Sequence, residues 1–317
     1  MKNFVIALLA SLLLVPAIPV QAAVPAFAGK GMAFVAIPVA HLRAEPAHSS
    51  EMVSQALLGT PVCVTDTIGE WLAVTLPDSY TGYINTSSLV AASQQDFAEW
   101  KASPRVLVTV PSTVDVLDDT IRGKKLTYLM NGTVVRGDAS PGSGYFSIIL
   151  PGGVAGFIPA DAAEKFGESF SQYTDTNLVL STASLAIGAP YLWGGTTLLA
   201  PDCSGLVRRA YFAAGLLLPR DASQQALVGI QIPLERQDLW KRGDLLFFTN
   251  DSGKITHVAI YDRNGRYIHS SGKVFNASVN PEDTLFIPRK VALVVRVAGC
   301  EDTPGIVRLT SHPWYFE

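Results

Sequence analysis

One cysteine and two histidines carry most of the chemistry legible in this sequence. Cys203 lies in Pro201-Asp202-Cys203-Ser204-Gly205-Leu206-Val207. Asp202 is a good helix N-cap, and Leu206, Val207, Ala210 and Tyr211 follow at helical spacing. Cys203 therefore falls in a first helical turn, where free N–H groups and the helix dipole favour an anion. That placement predicts a thiol pKa below the ordinary ~8.5 and offers donors to an oxyanion in acyl transfer. Alone, the tetrapeptide is explained equally well by a buried structural cysteine.

His257 and His269 lie in alternating segments, Thr256-His257-Val258-Ala259-Ile260-Tyr261 and Arg266-Tyr267-Ile268-His269, separated by Arg263-Asn264-Gly265. A two-residue turn at Asn264-Gly265 pairs 260 with 269 and sends the histidines to opposite faces. A three-residue turn with Gly265 left-handed pairs 259 with 269 and makes them diagonal neighbours on one face. The second arrangement gives a nucleophile (Cys203), a base (His257) and an orienting group (His269). A zinc site is the rival reading, but no second cysteine and no His-x-x-x-His spacing supports it. Neither metal nor cofactor is expected.

The elements that must hold these residues follow from the rest of the chain. It has 317 residues, 48% hydrophobic and 16% charged, with 24 Lys+Arg against 27 Asp+Glu and a formal net charge of −3. Such a composition excludes disorder and provides no basic stripe for nucleic acid. Residues 1–22 read as a signal peptide: Lys2, an apolar run from Phe4 to Val15, then Pro16, Pro19 and the small-residue stretch Val20-Gln21-Ala22-Ala23. The run is too short to span a bilayer, so the mature protein is expected to be exported, periplasmic or secreted, and monomeric. Cys63 and Cys300 are read as small apolar residues.

Residues 24–92 and 104–165 read as strands and turns and repeat each other. Trp71 to Ile84 matches Tyr145 to Ile158 at an offset of 74, and Gly59-Thr60-Pro61-Val62 matches Gly132-Thr133-Val134-Val135 at 73. The first copy, with Arg43-Ala44-Glu45-Pro46, Gly69-Glu70-Trp71 and Gly82-Tyr83-Ile84, resembles the bacterial SH3-like domain; the second resembles it less closely. Trp71 and Phe157 are read as core-filling residues. Ala91 to Ser103 is a linker with a short helix.

From about 178 to 300 the pattern changes. Leu178–Ile187 and Cys203–Ala214 read as helices stopped by Gly188 and Gly215. Strands follow at 244–249, 256–262, 266–270 and 291–297, an α+β order. This region resembles the NlpC/P60 family of cell-wall cysteine peptidases. The resemblance rests on Gly188-Ala189-Pro190-Tyr191-Leu192-Trp193-Gly194-Gly195, Asp202-Cys203-Ser204-Gly205, Pro219-Arg220-Asp221-Ala222-Ser223-Gln224-Gln225, Arg242-Gly243-Asp244-Leu245, His257-Val258-Ala259-Ile260-Tyr261 and His269-Ser270-Ser271-Gly272.

The resemblance implies a papain-like catalytic domain behind two small all-β barrels. It also implies hydrolysis of the γ-D-glutamyl to diamino-acid bond in peptidoglycan fragments whose L-Ala amine is free. By the same resemblance Tyr191 is an oxyanion or substrate donor, and Asp202, Ser204 and Asp221 hold the D-Glu and the peptide backbone. Glu51 and Tyr80 of the first barrel bind the amine. Ala222 stands where many relatives have Ser, which leaves Ser223 as a replacement. The alternatives are a catalytically silent wall-binding protein, a thiol acyltransferase and an endopeptidase of intact wall.

Overall fold

The computed structural model describes residues 30–140 and 142–316; the signal-peptide expectation lies outside them. Two seven-stranded antiparallel sheets come first. One is built from strands between Gly31 and Ala92, the other from strands between Arg105 and Lys165. With the strands of each numbered one to seven along the chain, both sheets run 3-2-6-5-4-1-7. The repeat is thus a repeat of topology. Strand Trp71–Thr75 has its copy at Tyr145–Ile149, and Thr81–Asn85 at Ala155–Pro159. Gly59 (φ 80°) and Gly132 (φ 83°) occupy matching left-handed turn positions, a conformation costly for any residue with a Cβ.

Each barrel has its own apolar centre. Leu42, Val64, Leu72, Val74 and Ile84 fill the first; Val106, Val116, Leu129, Ile148 and Ile158 fill the second. Trp71 and Phe157 belong to neither cluster, contrary to the sequence reading. Alternation explains both: Leu72 and Val74 take the inward positions of one strand, and Gly156 and Ile158 those of the other. Trp71 is buried beneath His48, with ring centroids 4.8 Å apart, and Phe157 is half-buried.

Four α-helices are described: α1 (Gln94–Ala102), α2 (Thr176–Ser184), α3 (Cys203–Ala213) and α4 (Ala222–Gln225). Helix α1 starts at a reciprocal Ser93–Asp96 capping box and links the barrels. Helix α2 ends before Gly188, whose N–H instead bonds the carbonyl of Val274 at 2.9 Å. Helix α3 lays Leu206, Val207, Ala210 and Tyr211 on a six-stranded antiparallel sheet. Its strands in spatial order are Ile230–Ile232, Leu293–Arg296, Leu245–Thr249, Ile255–Tyr261, Arg266–Ser271 and Lys273–Ser278. No helix among the described residues is long and apolar enough to cross a membrane.

Beyond Cys300 the chain folds back. Leu309 and Tyr315 join Phe34 of the first barrel, Leu107, Val134 and Phe166 of the second, and Phe212 and Leu217 of the third unit in one buried cluster. His312 Nε2 bonds the Pro77 carbonyl at 2.9 Å. The three units are therefore packed together around a shared aromatic centre.

Candidate active site

Strand register decides whether the two histidines meet. Asn264 (φ 54°) and Gly265 (φ 83°) are both left-handed, and Arg266 N–H bonds the Arg263 carbonyl at 2.8 Å. The ladder runs Ile260 opposite Ile268 and Tyr261 opposite Tyr267, so 259 stands opposite 269. His257 and His269 thus share a face, and His257 Nε2 lies 2.8 Å from His269 Nδ1. This contact leaves Nδ1 of His257 as the ring nitrogen open to a thiol. Both rings are buried, and Phe275 packs edge-on to His269 at 4.4 Å.

Cys203 opens α3 with only 7% of its surface exposed. Val258 and Ser204 direct backbone N–H groups at it, but these do not dominate its acidity. Burial pushes the thiol up to about 11, with the Asp202 carboxylate adding to the rise. The sequence-based expectation of a depressed thiol pKa is corrected accordingly. Burial, with help from the Arg289 cation and His269, pulls His257 down to about 3. His269 falls to about 4 through burial and Arg289. Burial thus disfavours the charged form of all three groups. A resting thiol of this kind alkylates slowly, because the thiolate is the reactive form. Iodoacetamide at pH 7 is expected to label the half-buried Cys63 ahead of Cys203 and the buried Cys300. Peptide mapping by mass spectrometry reads the order, and Cys203 labelled first would show an ionised thiol at rest.

Asp202 is engaged entirely by protein groups. Its Oδ1 accepts the Gly205 N–H (2.7 Å), the Ser204 hydroxyl (3.2 Å) and Arg220 Nη1 (3.2 Å); its Oδ2 accepts the Gly194 N–H (3.0 Å) and Arg220 Nη2 (2.5 Å). The carboxylate is thus a helix cap and half of a buried ion pair, with no oxygen left for substrate. Arg220, given no role in the sequence reading, also donates to Ser204 Oγ (2.9 Å) and to Ser54 Oγ of the first barrel (3.1 Å). Its only sequence signal is its place beside Asp221. Its partner Asp202 lies eighteen residues away and is visible only in the fold.

These residues floor a cleft of about 440 Å³. Glu51, Val53 and Tyr80 line it from the first barrel; Tyr191, Trp193, Asp202, Cys203, Ser204, Arg220 and Asp221 line it from below; Lys254, Ile255 and Thr256 close the side next to His257. The Tyr80 hydroxyl donates to the Asp221 carboxylate at 3.3 Å. Burial and then Asp221 push Tyr80 up to about 12, and burial raises Asp221 despite the nearby Arg220. Tyr191 is likewise raised by burial and by the nearby Cys203 and Asp202. Glu51 Oε1 accepts the Trp193 indole N–H at 2.6 Å, a partner missed in the sequence reading. Buried Gln55 anchors the barrel, its side-chain oxygen accepting the Thr196 N–H at 2.9 Å. Ala222 is buried, and Ser223 lies beside it in the cleft wall.

A cysteine at a helix start, packed on an antiparallel sheet that presents a hydrogen-bonded histidine pair, defines a thiol hydrolase of papain-like build. The chain carries an NlpC/P60 cysteine-peptidase domain: residues 188–292 match that family, and residues 42–89 match the bacterial dipeptidyl-peptidase SH3 domain. It is 27% identical over 248 residues to the γ-D-glutamyl-L-lysine dipeptidyl-peptidase of Bacillus cereus, covering 75% of this chain and 72% of that one. It is 29% identical to dipeptidyl-peptidase 6 of Lysinibacillus sphaericus, covering 79% and 92%. In fold it is similar to the crystal structure of an NlpC/P60 family protein from Bacillus cereus. The TM-score is 0.73 over 84% of this chain and 99% of that one, at 23% identity.

Proposed function

We propose that this protein hydrolyses the γ-D-glutamyl to diamino-acid bond of peptidoglycan stem peptides whose N-terminal L-Ala is free. The observation that carries the reading is the placement of Glu51 and Tyr80. A barrel outside the catalytic unit closes one end of the Cys203 cleft with an acidic and a hydroxyl group. A short peptide starting in an ammonium suits that end; a chain continuing into glycan does not.

In this reading His257 takes the thiol proton through Nδ1 as sulfur attacks the γ-carbonyl carbon. Neither group is charged beforehand, so the proton moves with the attack. The oxyanion meets first-turn N–H groups of α3 and the Tyr191 hydroxyl. His257 then returns the proton to the departing amine, and water cleaves the thioester to release L-Ala-D-Glu. His269 holds the His257 ring and its tautomer. Ser204 and Asp221 hold the D-Glu, and Asp202 acts only by positioning the helix start. The protein works as an exported monomer on wall fragments.

The test is cleavage of L-Ala-γ-D-Glu-diamino acid against the same peptide acetylated on the L-Ala nitrogen. The free peptide is expected to be cut, and the acetylated one to lose at least about tenfold in kcat/KM. Glu51 is exposed, so its ion pair is worth about 1 kcal/mol rather than the several that burial would give. Glu51→Gln should therefore weaken cleavage of the free peptide about fivefold while leaving the acetyl group excluded by the barrel wall. Equal cleavage of both peptides by the wild type would make the barrel a wall-targeting module.

A further inference from the structure

The cleft is polarised, and its cationic side has no assigned task. Of its acidic groups, Asp202 is paired with Arg220, and the other two, Glu51 and Asp221, come from the first barrel and the start of α4. Of its two cations, Arg220 is engaged by Asp202. The other, Lys254, is exposed in the cleft wall and forms no ion pair among the described residues. It immediately precedes strand Ile255–Tyr261, which carries His257. Thr256, at a bulge between Ile255 and His257, also lines the cleft and adds a hydroxyl to this wall.

The proton path says which part of the substrate meets this wall. His257 must reach the departing nitrogen to protonate it, so the residue leaving with that nitrogen lies along the His257 strand. Lys254 is three residues before His257, just ahead of the strand, and a bulge between Ile255 and His257 interrupts regular alternation there. A diamino-acid side chain that starts at the departing nitrogen's residue and runs outward brings its far end near this ammonium. There a second ammonium is repelled and a carboxylate is attracted.

We propose that Lys254 recognises a carboxylate at the far end of the leaving diamino acid. The protein then prefers a dicarboxylic diamino acid such as diaminopimelate over lysine. This rests on the cysteine-peptidase reading above and adds the identity of the leaving residue. The Thr256 hydroxyl serves the same end group, accepting from its ammonium or donating to its carboxylate.

The experiment compares kcat/KM of the full chain on L-Ala-γ-D-Glu-meso-diaminopimelate and L-Ala-γ-D-Glu-L-Lys. Wild type is expected to favour the first by about tenfold, mainly through KM. Lys254→Met should lower that rate about tenfold and raise the rate on the lysine peptide; Lys254→Glu should invert the preference. The C-terminal carboxylate is common to both peptides; a third peptide, with the D-Glu α-carboxylate amidated ahead of diaminopimelate, separates that carboxylate from the distal one. If Lys254 reads the distal one, Lys254→Met lowers cleavage of the amidated peptide as much as that of its parent. An unchanged preference in Lys254→Met, or an amidated peptide indifferent to that substitution, overturns the proposal. Failure of the underlying reading looks different: neither tripeptide is cut, or Cys203→Ala cuts both.

Discussion

Cys203→Ala is expected to melt within a few degrees of wild type and to lose hydrolysis by about 10⁵- to 10⁶-fold. The side chain is small, so the cavity it leaves costs little stability, yet the residues lining the cleft include no second thiol to form the acyl intermediate. His257→Ala should lose a comparable factor, since nucleophile and base act as one unit. His269→Ala removes only the 2.8 Å contact that orients the His257 ring, and a loss of about 10²- to 10⁴-fold is expected. Circular dichroism and thermal melts guard against misfolding, because both rings are buried beside Phe248 and Phe275. Single-turnover rates on the free-amine peptide then give the ordering. A His269 variant at the wild-type rate would make that residue a packing group. Full activity in Cys203→Ala would end the cysteine-peptidase reading.

What could be read from the sequence was local or periodic. Asp202 before an apolar helical pattern is a local signal, and α3 begins at Cys203 as expected. The offset of 74 between the barrels is periodic, and strand edges reproduce it. Register between the histidine strands depends on one turn; the sequence allows two, and the ladder takes the one that puts both histidines on one face. Long-range pairings were not legible. Glu51 and Trp193, and Gln55 and Thr196, are polar partners brought together by the packing of separate units, and Arg220 and Asp202 by the folding of the catalytic unit on itself. The thiol's acidity was misjudged for a related reason. Proximity to a helix terminus is visible in sequence, whereas burial at 7% exposure beside a carboxylate is a property of the whole fold. The C-terminal stretch has little periodicity, so its place is not legible in sequence; its aromatic residues bury themselves in a centre made by three distant segments.

Arg220→Met is expected to cost about 3–5 kcal/mol of stability and most of the activity, although the residue touches neither sulfur nor imidazole. Its guanidinium is 2% exposed and Asp202's side chain 7%, so removal leaves a buried carboxylate without its counter-ion beside the nucleophile. That carboxylate also holds the N–H groups of Gly194 and Gly205, which set the loop and the first turn around Cys203. The substitution further removes the Arg220 bond to Ser54, one of the polar ties that hold the first barrel against the cleft. Asp202→Asn alone should be costly as well, since it strands the buried cation while retaining a cap acceptor. The double variant Arg220→Met/Asp202→Asn removes both charges of this pair, and its loss should fall short of the summed single losses by about 2 kcal/mol or more. Urea unfolding of the four proteins measures that coupling directly. Additive losses would show that the two side chains stabilise the site independently. A coupled pair with activity lost in both single variants, and partly regained in the double, would show that charge balance under Cys203 keeps the helix start and the barrel wall in place.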